Sequence, residues 1–185
     1  AGSGSITNGH FGMAGGTFSI LAGGILTVAS TGNSGVTFGQ STGSNQFLNA
    51  GTFSKSGNFT TTLAVNFTNT GTVDVQQGTL SVSSGVSNLN TGTATLSGGT
   101  WKVSGGGALS LGIVRIIAPS TTVQVSGAGS SLTNWSALNS VQGELRILSN
   151  ATFPSTPQGG TLSNTGKLVL GTGGLLNLTG AFTQT

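Results

Sequence analysis

The stretch GTVDVQQGTLSV, Gly71 to Val82, constrains the fold more than any other part of the chain. Val73 and Val75 alternate with Asp74, and Leu80 and Val82 flank Ser81, so each half reads as a short strand with one apolar side. The outline recurs in GTFSILAGGILTV from Gly16, GTWKVSGGGALSL from Gly99, GELRILSNATF from Gly143 and GKLVLGTGGLLNL from Gly166. The apolar pairs are Phe18/Ile20 then Leu26/Val28, Val73/Val75 then Leu80/Val82, Trp101/Val103 then Leu109/Leu111, and Leu168/Leu170 then Leu176/Leu178. Glycine-rich steps between pairs supply the backbone freedom of a corner. Such a unit buries its apolar side only by stacking on its neighbours, which predicts an all-β chain, a parallel β-helix or β-solenoid.

A second marker precedes several units. Asn49, Asn69, Asn90 and Asn164 each stand two residues before a glycine, the first three at intervals of 20 and 21 residues. Asn caps turns and tolerates the left-handed conformation, so the marker predicts a turn at one point of every coil and a ladder of stacked Asn side chains. One domain over 1–185 follows, with about nine coils of roughly 20–23 residues and a length of about 40 Å.

Composition agrees. The chain holds 34 glycines and no cysteine, and its charge is confined to five Lys or Arg and two Asp or Glu. Helix formers are scarce while Thr, Ser, Asn and Val abound, which favours strand over helix. A charge aimed into a dry core costs several kcal/mol. Six of the charged residues, Asp74, Glu144, Arg146, Lys102, Arg115 and Lys167, fall at outward positions. Lys55 does not: it stands where Val75 or Val103 points inward.

Function classes are narrowed by the same counts. The cations are scattered rather than gathered in a stripe, against nucleic acid. No apolar stretch reaches the roughly 20 residues of a spanning helix. Without cysteine there is neither a disulfide frame nor a thiolate metal site, and the single histidine, His10, has no ligand partner nearby in sequence. Asp74 and Glu144 lie about three coils apart, roughly 15 Å, beyond the separation glycoside hydrolysis uses. The reading is therefore no enzyme, no cofactor and no metal.

The repeats resemble the Gly/Asn/Thr-rich β-strand repeats of very large secreted bacterial surface proteins, the autotransporter passengers and filamentous-haemagglutinin-like adhesins. The resemblance rests on pattern and composition along the chain. It implies a right-handed parallel β-helix and a secreted, extracellular place at the cell surface, and it carries over no catalytic residue.

Two functional expectations follow. The first is a structural subunit or segment of a bacterial fibre or surface layer, a homopolymer assembling head to tail, because no cap is visible at either terminus and GAFTQT, Gly180 to Thr185, reads as the start of another coil. The second is an adhesin or spacer binding glycans or proteins laterally, with Trp135 in LTNWSAL as the surface candidate. Trp101 is expected in the core, and Phe47, Phe53, Phe59 and Phe67 as an aromatic ladder. Alternate threonines at Thr91, Thr93 and Thr95 raise a third, minor expectation, an ice-binding solenoid, but that array does not repeat through successive coils.

Overall fold

The computed structural model describes residues 2–30 and 35–185, without the side chains of Gln40 and Ser41, and contains no helix among them. Strands follow one another in threes around a coil. The first face holds β1 (Ser3–Ile6), β4 (Ile25–Ala29), β7 (Thr52–Ser56), β10 (Thr72–Val75), β14 (Thr100–Val103), β17 (Thr122–Ser126), β20 (Glu144–Leu148) and β23 (Lys167–Leu170), one continuous sheet. The second face holds β2 (Gly9–Ala14), β5 (Val36–Thr42), β8 (Thr60–Leu63), β11 (Thr79–Val82), β15 (Ala108–Ser110) and β18 (Ser131–Thr133). Beyond a break it resumes with β21 (Thr152–Ser155) and β24 (Leu175–Leu178).

The third face is made of β3 (Thr17–Ile20), β6 (Gln46–Asn49) and β9 (Asn66–Asn69), then β13 (Thr95–Leu96), β16 (Ile116–Ile117), β19 (Ser140–Val141), β22 (Thr161–Asn164) and β25 (Ala181–Gln184). Pairing between coils is parallel throughout these faces. The result is a β-solenoid of eight turns, one fewer than the sequence predicts.

The difference lies in two long coils. Thr52 to Thr72 is a step of 20 residues and Thr100 to Thr122 and Thr122 to Glu144 are steps of 22. Ile25 to Thr52 takes 27 and Thr72 to Thr100 takes 28. The 28-residue step carries an extra strand, β12 (Leu89–Asn90), folded back antiparallel on β13. Thr91 and Thr93 lie in that hairpin, where Thr93 bonds Thr95 at 2.9 Å.

The inward side chains form columns along the stack. Leu26, Phe53, Val73, Trp101, Val123, Leu145 and Leu168 are successive registered partners, as are Val28, Lys55, Val75, Val103, Val125, Ile147 and Leu170. Leu80, Val82, Leu109 and Leu111 are buried on the second face. Phe47, Phe53 and Phe67 stack with Phe11, Phe18, Phe38 and Trp101 at ring separations of 5.0 to 6.3 Å. Phe59, expected in this ladder, is exposed at the turn before β8.

Two further expectations need correction. Phe18 and Ile20 belong to the third face and Leu26 and Val28 to the first, so GTFSILAGGILTV runs one face out of phase with GTVDVQQGTLSV. The apolar-pair pattern is the same on every face and cannot report which face it occupies. Leu168, Leu176 and Leu178 are only half-buried, and Leu170 is 53 % exposed, because no described coil covers the eighth turn.

The corner before β7, β10 and β23 explains the Asn-x-Gly marker at Asn49, Asn69 and Asn164. A Cβ added at Gly71 would stand 2.1 Å from the carbonyl oxygen of Gly51 in the coil below. That oxygen accepts the Thr72 N–H at 2.8 Å, so the backbones pass too closely for any side chain.

Candidate interaction surfaces

Charge collects on the first face. Asp74, Lys102, Glu144, Arg146 and Lys167 all project from it, and Asp74 is the registered neighbour of Lys102. Glu144 Oε1 takes Arg146 Nε and Lys167 Nζ, each at 3.0 Å. The Lys167 contact, with the field of Arg146, holds the Glu144 carboxyl below its usual range. Asp74 accepts from Gln76 at 2.9 Å. The two acids stand three coils apart, roughly 14 Å at the strand spacing, each tied to its own neighbours. No cluster of three or more metal-binding side chains exists among the described residues.

Lys55 is fully buried in the inward column, as its position in the sequence implies. Its stem lies between Val28 and Val75, and its ammonium turns into the corner. There it donates to the carbonyl oxygens of Gly57 (2.7 Å), Ser56 (3.0 Å) and Gln77 (3.0 Å). Two of these acceptors belong to its own corner and one to the next coil, so the group joins two coils. Burial lowers its pKa to about 8, against the three acceptors, which favour the charged form.

The predicted Asn ladder is real over fewer coils than expected. Asn49 Nδ2 donates to Asn69 Oδ1 (2.8 Å) and Thr72 O (2.9 Å), and Asn69 Nδ2 donates to Thr100 O. Asn88, which carries no Asn-x-Gly marker, continues the ladder by accepting the Asn69 N–H at 2.7 Å. Asn90 departs: it is exposed and its Oδ1 accepts the N–H groups of Gly92 and Thr93 within the hairpin. Asn164 is buried but stacks on Gln184 at 2.6 Å, in a column that contains Val141 rather than another Asn.

Trp135 is not a surface residue. It is 0 % exposed and fills the core at the break between β18 and β21. Among the described residues its Nε1 has no hydrogen-bond partner, and a cavity of about 110 Å³ lies beside it, lined by Leu132, Phe153 and Pro154 among others. Pro154 removes one backbone donor in β21, which suits a strand that does not pair with its neighbour below. The sequence offered only the irregularity of LTNWSAL, and an interrupted repeat looks alike whether its aromatic turns in or out.

Among the described residues, nothing packs on the outer side of the first or the last coil. β23, β24 and β25 are edge strands of their sheets, and Leu170, Leu175 and Phe182 are exposed there. At the other edge Ile6, Phe11 and Phe18 are partly buried, and a groove of about 290 Å³ opens between β1, β3 and β4, lined in part by Phe18, Leu21 and Ile25. Among the described residues no helix is long and apolar enough to cross a membrane.

No protein-family model matches the chain, and no curated protein or solved structure does so either.

Proposed function

We propose that this solenoid is a structural segment of an extracellular fibre or surface layer of a bacterial cell, in which coil stacks on coil head to tail from one copy to the next. The observation that supports this reading is the eighth coil. Its inward side chains keep the register of the core columns, Leu168 on Leu145 and Leu170 on Ile147, so a further coil of the same kind would extend both columns. Unpaired edges are templates for further pairing.

Parallel stacking also defines the sense of the join. The upper edge of one coil is complementary in hydrogen bonding to the lower edge of the next, so β1, β2 and β3 of a second copy meet β23, β24 and β25. Leu168 then faces Gly4 and Leu170 faces Ile6, a large residue against a small one in the first column. The scarcity of charge and the resemblance to secreted bacterial repeats support the extracellular setting.

Sedimentation and negative-stain microscopy of the 185-residue chain test the reading. Rods that lengthen with concentration are expected, and Leu170→Lys with Leu176→Lys should hold them at single-copy length. Short monodisperse rods at every concentration would overturn it.

A further inference from the structure

The second face, which the fibre reading leaves unused, carries hydroxyl groups in register. Thr37, Thr62, Ser81, Ser110 and Thr133 are registered partners in five successive coils. Two residues earlier, Thr60, Thr79 and Ser131 form a second column interrupted by Ala108. Strand geometry sets the mesh at about 4.8 Å from coil to coil and about 6.6 Å between columns. No register shift interrupts β8, β11, β15 and β18.

Three properties narrow what such a mesh can bind. The hydroxyls are exposed or half-exposed, and among the described residues none of them bonds to another protein group. The strands from β5 to β18 carry no Asp, Glu, Lys or Arg, in contrast to the first face. Within these strands no aromatic ring turns outward, and the exposed Phe59 stands at the corner before β8.

Each hydroxyl offers one donor and two acceptors and can enter a water network in either sense. The β-branched Thr60, Thr62, Thr79 and Thr133 hold hydroxyl and methyl in few rotamers, while the hydroxyls of Ser81, Ser110 and Ser131 turn to suit a partner. A soluble partner gains little from a repeat of this kind. A hydrogen-bonded crystal gains at every node.

We infer that the second face is an ice-binding surface, with Thr62, Ser81, Ser110 and Thr133 as its central column and Thr60, Thr79 and Ser131 beside it. Single waters complete the contact by bridging hydroxyls to the crystal, as ordered waters bridge other interfaces. Ser81 lies at the middle of the array, so a bulky side chain there lifts the whole face from a flat solid. The sequence raises ice binding at Thr91, Thr93 and Thr95, which belong to the hairpin and the third face, whereas the hydroxyls that align on the second face are spread over segments of different length and spacing.

The test uses the dispersed 185-residue chain, so that its outcome is independent of fibre formation. Thermal hysteresis and adsorption of dye-labelled protein to a growing ice surface are measured for the unchanged chain, Ser81→Tyr, Ser110→Tyr and, on the first face, Thr72→Tyr, with circular dichroism and melting to verify folding. The expected result is activity in the unchanged chain, a loss of about tenfold in each second-face variant that melts normally, as at the centre of an interface, and no change in Thr72→Tyr. Absence of both hysteresis and adsorption in the unchanged chain overturns the inference. So does an equal loss in Thr72→Tyr, or retention on crystalline cellulose with none on ice.

Discussion

Lys55 stands in register with Val75 one coil away, a buried ammonium in a column of valines and leucines held by three backbone carbonyls. Its pKa is lowered from 10.5 to about 8 by burial, so the folded chain releases this proton more readily than the unfolded one. Between those two values the unfolded state binds more protons, and stability rises with pH. It should climb from pH 8 to 10.5 by about 3 kcal/mol at most, read from urea melts. With no tyrosine or cysteine, few other groups titrate in this window, and Lys55→Met should flatten the slope.

The Asn ladder separates one marker from another. Asn69→Ala removes the acceptor of Asn49 and a donor to Thr100 inside a buried stack, and should cost about 1–3 kcal/mol. Asn90→Ala affects only an exposed hairpin turn and should stay within about 0.5 kcal/mol. Chemical denaturation of the two variants provides the comparison. Equal losses would contradict the ladder.

Alternation on the first face predicts a sharp contrast between adjacent positions. Val75→Asp places a carboxylate in the dry column and should cost several kcal/mol, whereas Asp74→Asn loses one exposed contact and should be nearly neutral. Leu170→Asp occupies the same inward column as Val75 but belongs to the uncovered eighth coil, so the dispersed chain should tolerate it. Thermal melts of all three distinguish position along the stack from direction of the side chain.

The Glu144 cluster should contribute little. Its carboxyl is held low by Lys167 and Arg146, so its stabilisation is present at neutral pH and fades on acidification through the lowered value. All three side chains remain partly open to solvent, and exposed pairs are weak and screened. Glu144→Gln should cost less than about 1 kcal/mol, with the difference shrinking in high salt.

Much of the coil was legible before its faces were. Val73/Val75 and Leu80/Val82 announce strands because period two survives wherever one side meets a core, and the same alternation puts Lys55 inward. The third face was hidden for a physical reason. Strands such as Gln46–Asn49 and Asn66–Asn69 end in Asn at an inward position, so they read as turns rather than as strands whose last side chain bonds along the stack. Trp135 and the hydroxyl columns depend on register between coils of 20 to 28 residues, which no local pattern encodes.

The direction of the hydrogen bonds has a mechanical consequence. In every face the ladder runs along the stack, so tension applied between the two ends loads one coil's bonds at a time instead of shearing many at once. Such a rod should yield by peeling, turn after turn, in many small steps at low force. The interlocked phenyl rings around Phe38 and Phe47 would be the last region to give way, making the strand a graded shock absorber rather than a brittle link.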